Sequence, residues 1–131
     1  MIDTSVLIDV EGVAPGDLPA ELGVSAITMA ELAAGPHATN DPDERARRQD
    51  RLQRAEATFD PLPVDAAVAR AYGRVYAAVI GAGRKARGAR SLDLLIAATA
   101  LASGLPLYTR NLDDFRGVEG LIEVVEVAPA S

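Results

Sequence analysis

Acidic residues occur at four separate places where the sequence changes from one kind of local pattern to another. They are Asp3, Glu31, Asp93 and the pair Asp113 and Asp114. Carboxylates that are brought together repel one another and resist ionising unless a cation neutralises them. Their oxygen atoms suit Mg²⁺ or Mn²⁺, which can activate a water molecule and orient a phosphate. The four positions therefore predict metal-dependent hydrolysis of a phosphodiester bond.

Each acid considered alone also has a structural interpretation. Asp3 could be a turn residue, and Glu31 could be the second member of a capping box that begins at Thr28. Asp93 could favour the positive end of its own helix, behind a cap at Ser91. The joint occurrence of the acids, and not any single one of them, favours the metal site.

The segments between these acids alternate between extended and helical patterns. We predict strands that end at about residue 3 and that cover residues 23–27, 61–64, 105–109 and 121–125. We predict a short helix after the first strand and a helix over residues 29–34. A longer helix should begin at Pro42 behind an Asp41 cap and run to about residue 58, and the next should lie behind Asp65 and end at Gly81. A helix over residues 91–102 closed by Gly104, and a helical turn over residues 112–115, complete the prediction. This alternation indicates an α/β fold with a mostly parallel sheet and helices on both faces. Ligands of such sheets bind at the carboxyl ends of the strands, where the acids gather.

Length and composition limit the classes of protein to consider. With 131 residues and 49% hydrophobic content, we expect one domain over residues 1–131. Cysteine is absent, which excludes disulfides, thiolate metal sites and cysteine nucleophiles. The longest apolar run is too short to span a bilayer and no leader pattern is visible, so we expect a cytoplasmic protein. The net charge of −6 argues against a protein that coats nucleic acid through its overall charge.

Four stretches of the sequence carry a resemblance to a known family. They are residues 2–7 (IDTSVL), 25–32 (SAITMAEL), 92–98 (LDLLIAA) and 109–115 (TRNLDDF). Each stretch alone is a weak signal, but their order and spacing are specific. Together they resemble the PIN-domain family, and in particular its VapC-type toxin ribonucleases, over essentially the whole chain.

The resemblance implies a PIN-like three-layer fold whose five-stranded parallel sheet has the order 3-2-1-4-5. It implies that Asp3, Glu31 and Asp93 form an acidic metal site. Hydroxyl groups are expected to support these carboxylates through hydrogen bonds, namely those of Thr4, Ser5 and Thr109.

The fourth acid is where this sequence departs from the simplest family pattern. The position two residues after Thr109 is Asn111 and not an aspartate. We assign the fourth acid to Asp114, which precedes Phe115, in preference to Asp113. Asn111 is then a supporting residue. Three carboxylates and an asparagine imply one tightly held ion, Mg²⁺ or Mn²⁺, with a second held only weakly.

The same resemblance implies an endoribonuclease toxin that cuts structured RNA of the tRNA or rRNA class. It also implies a homodimer that is neutralised by a small VapB-type antitoxin. The alternative is an inactive PIN-like module that binds RNA or a protein partner. A dehalogenase-type phosphatase would need a second aspartate at the position of Ser5. A receiver domain would need a well-placed lysine, and the only lysine is Lys85, in an arginine-rich segment.

Arginine supplies all but one of the 13 cationic residues, mostly in two segments. Residues 84–90 directly precede the helix of Asp93 and are predicted to contact RNA phosphates or the antitoxin beside the metal. The cations of that segment are Arg84, Lys85, Arg87 and Arg90. A solvated basic loop is the alternative. Residues 45–54 could contact RNA or antitoxin, or pair with acids of their own helix.

Overall fold

The structure is a computed structural model that describes residues 1–9, 16, 18–19, 21–88 and 90–128. Helices and extended segments alternate within these residues, in agreement with the predicted α/β class. The helices are α1 (Thr4–Ile8), α2 (Ala26–Ala34), α3 (Pro42–Thr58), α4 (Ala66–Gly81) and α5 (Arg90–Ser103). The strands are β1 (Leu107–Thr109) and β2 (Val124–Glu126), and 3₁₀ helices cover Gly35–Ala38 and Leu112–Phe115.

Side-chain caps turn the chain from an extended segment into a helix at the start of α1 and of α2. The carboxylate of Asp3 accepts a hydrogen bond from Val6 N, which begins α1. Ser25 begins α2 in the same way, because its hydroxyl accepts from Thr28 N. The predicted capping box that begins at Thr28 is therefore wrong, since the helix already starts at Ala26.

The boundaries of α3 and α4 follow local sequence signals closely. α3 begins behind an Asp41 cap with Pro42 at its first position, where the missing N–H of proline has no helical partner to lose. α4 begins behind an Asp65 cap and ends at Gly81, as predicted. Both caps satisfy backbone donors that the first turn of a helix leaves unpaired.

The helix that carries Asp93 starts slightly earlier than predicted. α5 begins at Arg90, so Ser91 is not its cap, and the Ser91 hydroxyl donates instead to Ala86 O at 3.3 Å. Gly104 follows the helix with φ of 65°, a conformation that favours glycine, and this agrees with its predicted role as a stop. α5 is apolar on most sides, yet neither it nor any other described helix is long and apolar enough to cross a membrane.

Parallel backbone pairing is confined to short parts of the extended segments. β1 and β2 pair in parallel, with Tyr108 opposite Val125. Single parallel bridges join Ile2 to Tyr108 and Ser25 to Leu62. The regular sheet of the described residues therefore has two strands, and the other three predicted strands appear only as bridges.

The early helix caps explain why two of the predicted strands are so short. Asp3 follows the bridge residue Ile2 directly, and Ser25 is itself both a bridge residue and a helix cap. The predicted strand over residues 23–27 is consequently wrong in its second half, which already lies in α2. Alternating apolar residues indicate an extended segment, but they do not show where a cap ends it.

Two hydrophobic clusters lie on opposite faces of the extended segments. Met1 and Leu107 pack in one cluster with residues of α4 and α5, which we call the α4–α5 core. Ile2 packs in the other with residues of α1, α2 and α3, which we call the α1–α3 core. Because successive side chains of an extended segment point to opposite faces, Met1 and Ile2 mark the two sides. Helices therefore cover both faces, as predicted.

Leu94 and Leu92 are neighbouring leucines of α5 that differ in burial, which makes them a matched pair. Leu94 is fully buried in the α4–α5 core, whereas Leu92 is 41% exposed. We expect Leu94→Ala to lower the free energy of unfolding by about 2–5 kcal/mol, through lost burial and a residual cavity. Leu92→Ala should change it by less than about 0.5 kcal/mol. Chemical denaturation measures both values, and equal losses would contradict the assignment of Leu94 to the core.

Candidate active site

Asp3 is a nearly buried carboxylate with three hydrogen-bond donors around it. Only 5% of the residue is exposed. Its Oδ1 accepts from Ser5 Oγ at 2.6 Å and from Val6 N at 3.1 Å, and its Oδ2 accepts from Thr109 Oγ1 at 2.6 Å. These bonds replace the water that burial removes from the carboxylate. They hold it where the first extended segment meets the end of β1.

Backbone N–H groups orient the two hydroxyls that serve Asp3. Ser5 Oγ accepts a hydrogen bond from Arg110 N at 3.1 Å, and Thr109 Oγ1 accepts from Asn111 N at 3.0 Å. Because each hydroxyl already accepts one bond, its own proton is directed to the carboxylate. The side chain of Asn111 is exposed, so the contact by which Asn111 supports this site is made by its backbone.

Glu31 lies in the interior of α2 and is held by a hydroxyl of α1. Thr4 Oγ1 donates to Glu31 Oε1 at 2.6 Å and lies 3.1 Å from Thr28 Oγ1. Thr28 and Ser25 are fully buried beneath this contact. From the sequence, Thr28 was interpreted only as a cap, and the capping role of Ser25 was not predicted. The signal that could have identified both is the three-residue spacing of Ser25, Thr28 and Glu31, which aligns them along one face of a helix.

Three of the predicted acids are close enough to the fourth, Asp93, to affect its ionisation. The pKa of Asp93 is raised to about 7, first by burial and then by the negative charge of Asp114. The charges of Glu31 and Asp3 raise it further, and the guanidinium of Arg90 acts in the opposite direction. Three carboxylates from three other parts of the chain thus act on Asp93.

Asp113 and Asp114 are adjacent but have different surroundings. Asp113 Oδ1 accepts from Arg116 Nε at 2.8 Å, and Oδ2 lies 3.5 Å from Arg84 Nη2. The hydrogen bond from Arg116 and the positive charge of Arg84 lower the pKa of the exposed Asp113. Asp114 is half-buried, and its charge is the one that acts on Asp93. The arrangement therefore favours Asp114 over Asp113 as the fourth acid.

Two of the four predicted cationic contacts hold the 3₁₀ helix Leu112–Phe115 in place. Arg84 Nη2 donates to Asp113 O at 3.0 Å, and Arg90 Nη1 donates to Asp113 O at 3.1 Å and to Asp114 O at 2.7 Å. Lys85 and Arg87 are exposed and have no hydrogen bond or ion pair with the described residues. Their predicted role as phosphate contacts stays a prediction.

The donor set fits a hard divalent cation in its chemistry. It consists of carboxylate oxygens, with hydroxyl and backbone groups behind them, and Mg²⁺ and Mn²⁺ prefer such oxygen ligands. Within the described ranges, no three acidic or histidine side chains are close enough to bind one ion together. Two of the carboxylates accept hydrogen bonds from hydroxyl groups instead. Asp3 accepts from Ser5 and Thr109, and Glu31 accepts from Thr4.

The raised pKa of Asp93 predicts that neutralising this residue stabilises the metal-free protein. The folded protein ionises Asp93 near pH 7, whereas the unfolded chain does so near the ordinary value of 3.8. The wild type therefore loses stability as the pH rises from about 4 to about 7, and Asp93→Asn does not. In EDTA we expect the variant to melt roughly 4 °C above wild type at pH 8, and by a smaller margin at pH 5.

Thermal unfolding of both proteins at the two pH values measures this difference. Asp113→Asn is the matched control, because its carboxylate is paired with arginines and its neutralisation should give no gain. A margin for Asp93→Asn that does not grow with pH would contradict the crowding of carboxylates around this residue.

The family was identified by comparison with known proteins. The PIN domain family matches residues 1–121. The chain is 34% identical to ribonuclease VapC5 of Mycobacterium tuberculosis, with 97% of this chain and 94% of that protein covered. It is 30% identical to ribonuclease VapC1 of Rickettsia felis, with 98% and 96% covered.

Solved structures give the same result for the fold. A crystal structure of VapBC-5, a member of the VapBC family of toxin-antitoxin systems from Mycobacterium tuberculosis, matches with a TM-score of 0.84 at 34% identity and covers 96% of both chains. FitAcB from Neisseria gonorrhoeae matches with a TM-score of 0.74 at 25% identity and covers 95% of both chains. The family match extends over most of the sequence and the relatives align over nearly their full length. The chain belongs to the PIN-domain family, in its VapC-type branch.

Proposed function

We propose that this protein is a metal-dependent endoribonuclease, the toxin of a VapBC-type toxin–antitoxin pair that acts on cytoplasmic RNA. The observation that carries the proposal is the convergence of three carboxylates on Asp93, which together with burial raises its pKa to about 7. Such mutual repulsion is relieved when a divalent cation binds between the carboxylates. The names of the relatives, ribonucleases VapC5 and VapC1, support RNA as the substrate.

We assign metal binding to Asp3 and Asp93, with Glu31 and Asp114 completing the site or orienting water. Bound Mg²⁺ or Mn²⁺ would supply an activated water and would stabilise charge on the scissile phosphate. The chain's own residues set the geometry. The hydroxyl of Thr4 orients Glu31, and three donors fix Asp3.

A single domain over residues 1–131, with a five-stranded parallel order 3-2-1-4-5, is part of the proposal. Backbone contacts support the order. Leu62 bridges to Ser25, Ile2 N donates to Gly23 O at 2.9 Å, and Ile2 bridges to Tyr108. β1 then pairs with β2. All the named bridges are parallel, as an α/β sheet with crossover helices requires.

The partners are proposed from the related structures. VapBC-5 belongs by its description to the toxin–antitoxin systems, and we propose a VapB-type antitoxin protein for this chain. We further propose a homodimer and an RNA substrate of the tRNA or rRNA class. Lys85 and Arg87 are the cations of the segment before α5 that are free to contact RNA phosphates or antitoxin, while Arg84 and Arg90 hold the turn that carries Asp114.

The first test of the proposed function is cleavage of total tRNA and ribosomal RNA by the purified protein. Wild type should cut with Mg²⁺ or Mn²⁺ and not with EDTA, and Asp3→Ala and Asp93→Ala should both lose activity by at least about 100-fold. Equal residual activity in all samples would indicate a contaminating nuclease. No activity in antitoxin-free wild type would contradict the proposal and favour an inactive PIN-like module.

Asp114 and Asp113 form a matched pair for the fourth acid. We expect Asp114→Asn to lower kcat by roughly 10- to 1,000-fold, because its carboxylate acts on the site of Asp93. Asp113→Asn should retain activity within about threefold, since the exposed ion pairs that it loses contribute little. Steady-state cleavage of one RNA substrate measures both. A larger loss for Asp113→Asn would assign the fourth position to Asp113.

A further inference from the structure

A cavity of about 280 Å³ opens beside Glu31, between α1, α2 and α3. Thr4 and Glu31 line it from α1 and α2, and Glu44, Arg48 and Arg51 form the wall that α3 contributes. Ile8, Leu32 and Gly35 complete the lining. The cavity is therefore a continuation of the candidate active site toward the basic segment of α3.

Most charged groups of this wall already have partners. Glu44 accepts hydrogen bonds from Arg47 and from Arg48, at 2.8 Å and 3.1 Å. Arg48 also donates to Gly35 O at 2.9 Å. On the same helix, Asp50 pairs with Arg54 at 3.1 Å. The contacts with Glu44 and Asp50 are the intrahelical pairs that were the alternative interpretation of residues 45–54, whereas the contact with Gly35 was not predicted.

Arg51 differs from Arg48, the other arginine of the cavity wall. It is half-buried, and it makes no hydrogen bond or ion pair with the residues that the structure describes. Its side chain lines the cavity that also contains Glu31. A guanidinium kept beside a carboxylate-rich site without a carboxylate partner is well suited to bind a phosphate, which it can contact with two N–H groups.

We propose that Arg51 binds the RNA phosphate adjacent to the scissile one, on the α3 side of the site. This inference rests on the proposed function, because the scissile phosphate must lie at Asp3 and Asp93. An RNA strand held there presents its next phosphate nearby at high effective concentration, so one more contact is gained without a second binding event. Arg51 and the exposed Lys85 and Arg87 would then contact the strand on two different sides of the acids.

Direct RNA binding tests this role separately from cutting. The protein carries Asp93→Asn to prevent cleavage, and the probe is a short fluorescent single-stranded RNA titrated at several salt concentrations. We expect Arg51→Gln to weaken binding roughly five- to tenfold and to reduce the salt-dependence slope by about 0.7, the value for one lost phosphate contact on a single strand. Arg51→Lys should recover part of the affinity, since it keeps a point charge. Arg74→Gln, an exposed arginine of α4 outside this cavity, is the charge-matched control and should lose less than twofold.

Kinetics on the active enzyme provide a second reading. Arg51→Gln should raise KM by the same factor as Kd and leave kcat within about twofold, because the lost contact binds ground state and transition state alike. An unchanged salt slope and KM in a protein that cuts RNA would overturn this inference and leave the proposed function intact. Arg51-dependent RNA binding without metal-dependent cutting would contradict the proposed function, and with it the position of this contact beside a scissile phosphate. If Arg51→Gln weakens only the binding of a purified antitoxin, the cavity belongs to a protein partner and the inference is wrong.

Discussion

Burying a carboxylate costs several kcal/mol unless hydrogen bonds replace its lost water. Asp3 is such a buried carboxylate, and the fold provides the hydrogen bonds that it needs. Its three donors come from α1 and from the end of β1, more than 100 residues apart in the chain. The carboxylate is satisfied only when Ser5 and Thr109 have both reached it. The contacts that build the site are thus also contacts that fasten the first helix to a distant strand.

Asp93 is half-buried, and its surroundings differ from those of Asp3. Asp3 is surrounded by donors, whereas burial and three carboxylates make the charged form of Asp93 unfavourable, and Arg90 offsets this only in part. Natural proteins accept such destabilisation where function needs it, because the rest of the core provides the stability. Leu94, the residue next to Asp93, is fully buried in the α4–α5 core. The well-packed helix α5 therefore carries the destabilising carboxylate of Asp93 in its first turn, where a bound cation can neutralise the charge.

Local signals predicted the elements that depend on local interactions. The caps Asp41 and Asp65 and the stop at Gly81 gave the bounds of α3 and α4, because a cap contacts backbone only two or three residues away. The start of α2 was not predictable in this way. Serine and threonine both commonly cap helices. Only the contacts of Thr28 and Glu31 with Thr4, 24 and 27 residues earlier, distinguish the role of Thr28 from that of the cap Ser25.

In the candidate site, too, the sequence predicted features that depend on local pattern and missed those that depend on contacts between distant residues. The pattern of apolar segments and acids was sufficient to propose Asp3, Glu31 and Asp93 as site residues. It misplaced Glu31, which was expected to open a helix and lies in the interior of α2. It could not separate Asp113 from Asp114, because the difference lies in the positions of Arg84 and Arg116 in space. The lengths of the strands could not be predicted from the sequence either, because alternation of apolar and polar side chains does not show how far backbone pairing extends.

The arginines show why counting charges in a sequence overestimates a nucleic-acid interface. Several arginines make hydrogen bonds within the fold. Arg84 and Arg90 donate to backbone carbonyls of the 3₁₀ helix Leu112–Phe115, and Arg48 donates to Glu44 and to Gly35 O. A chain of net charge −6 can still bind a polyanion, because charges farther apart than about 8–10 Å are largely screened at physiological salt. Binding then depends on the few cations that lie beside the acids and have no partner within the described fold. Arg51 lines the cavity that contains Glu31 and meets that condition. The phosphate contacts proposed for Lys85 and Arg87 would add two cations from the segment before α5, and a protein of this charge would then bind one strand without a basic surface.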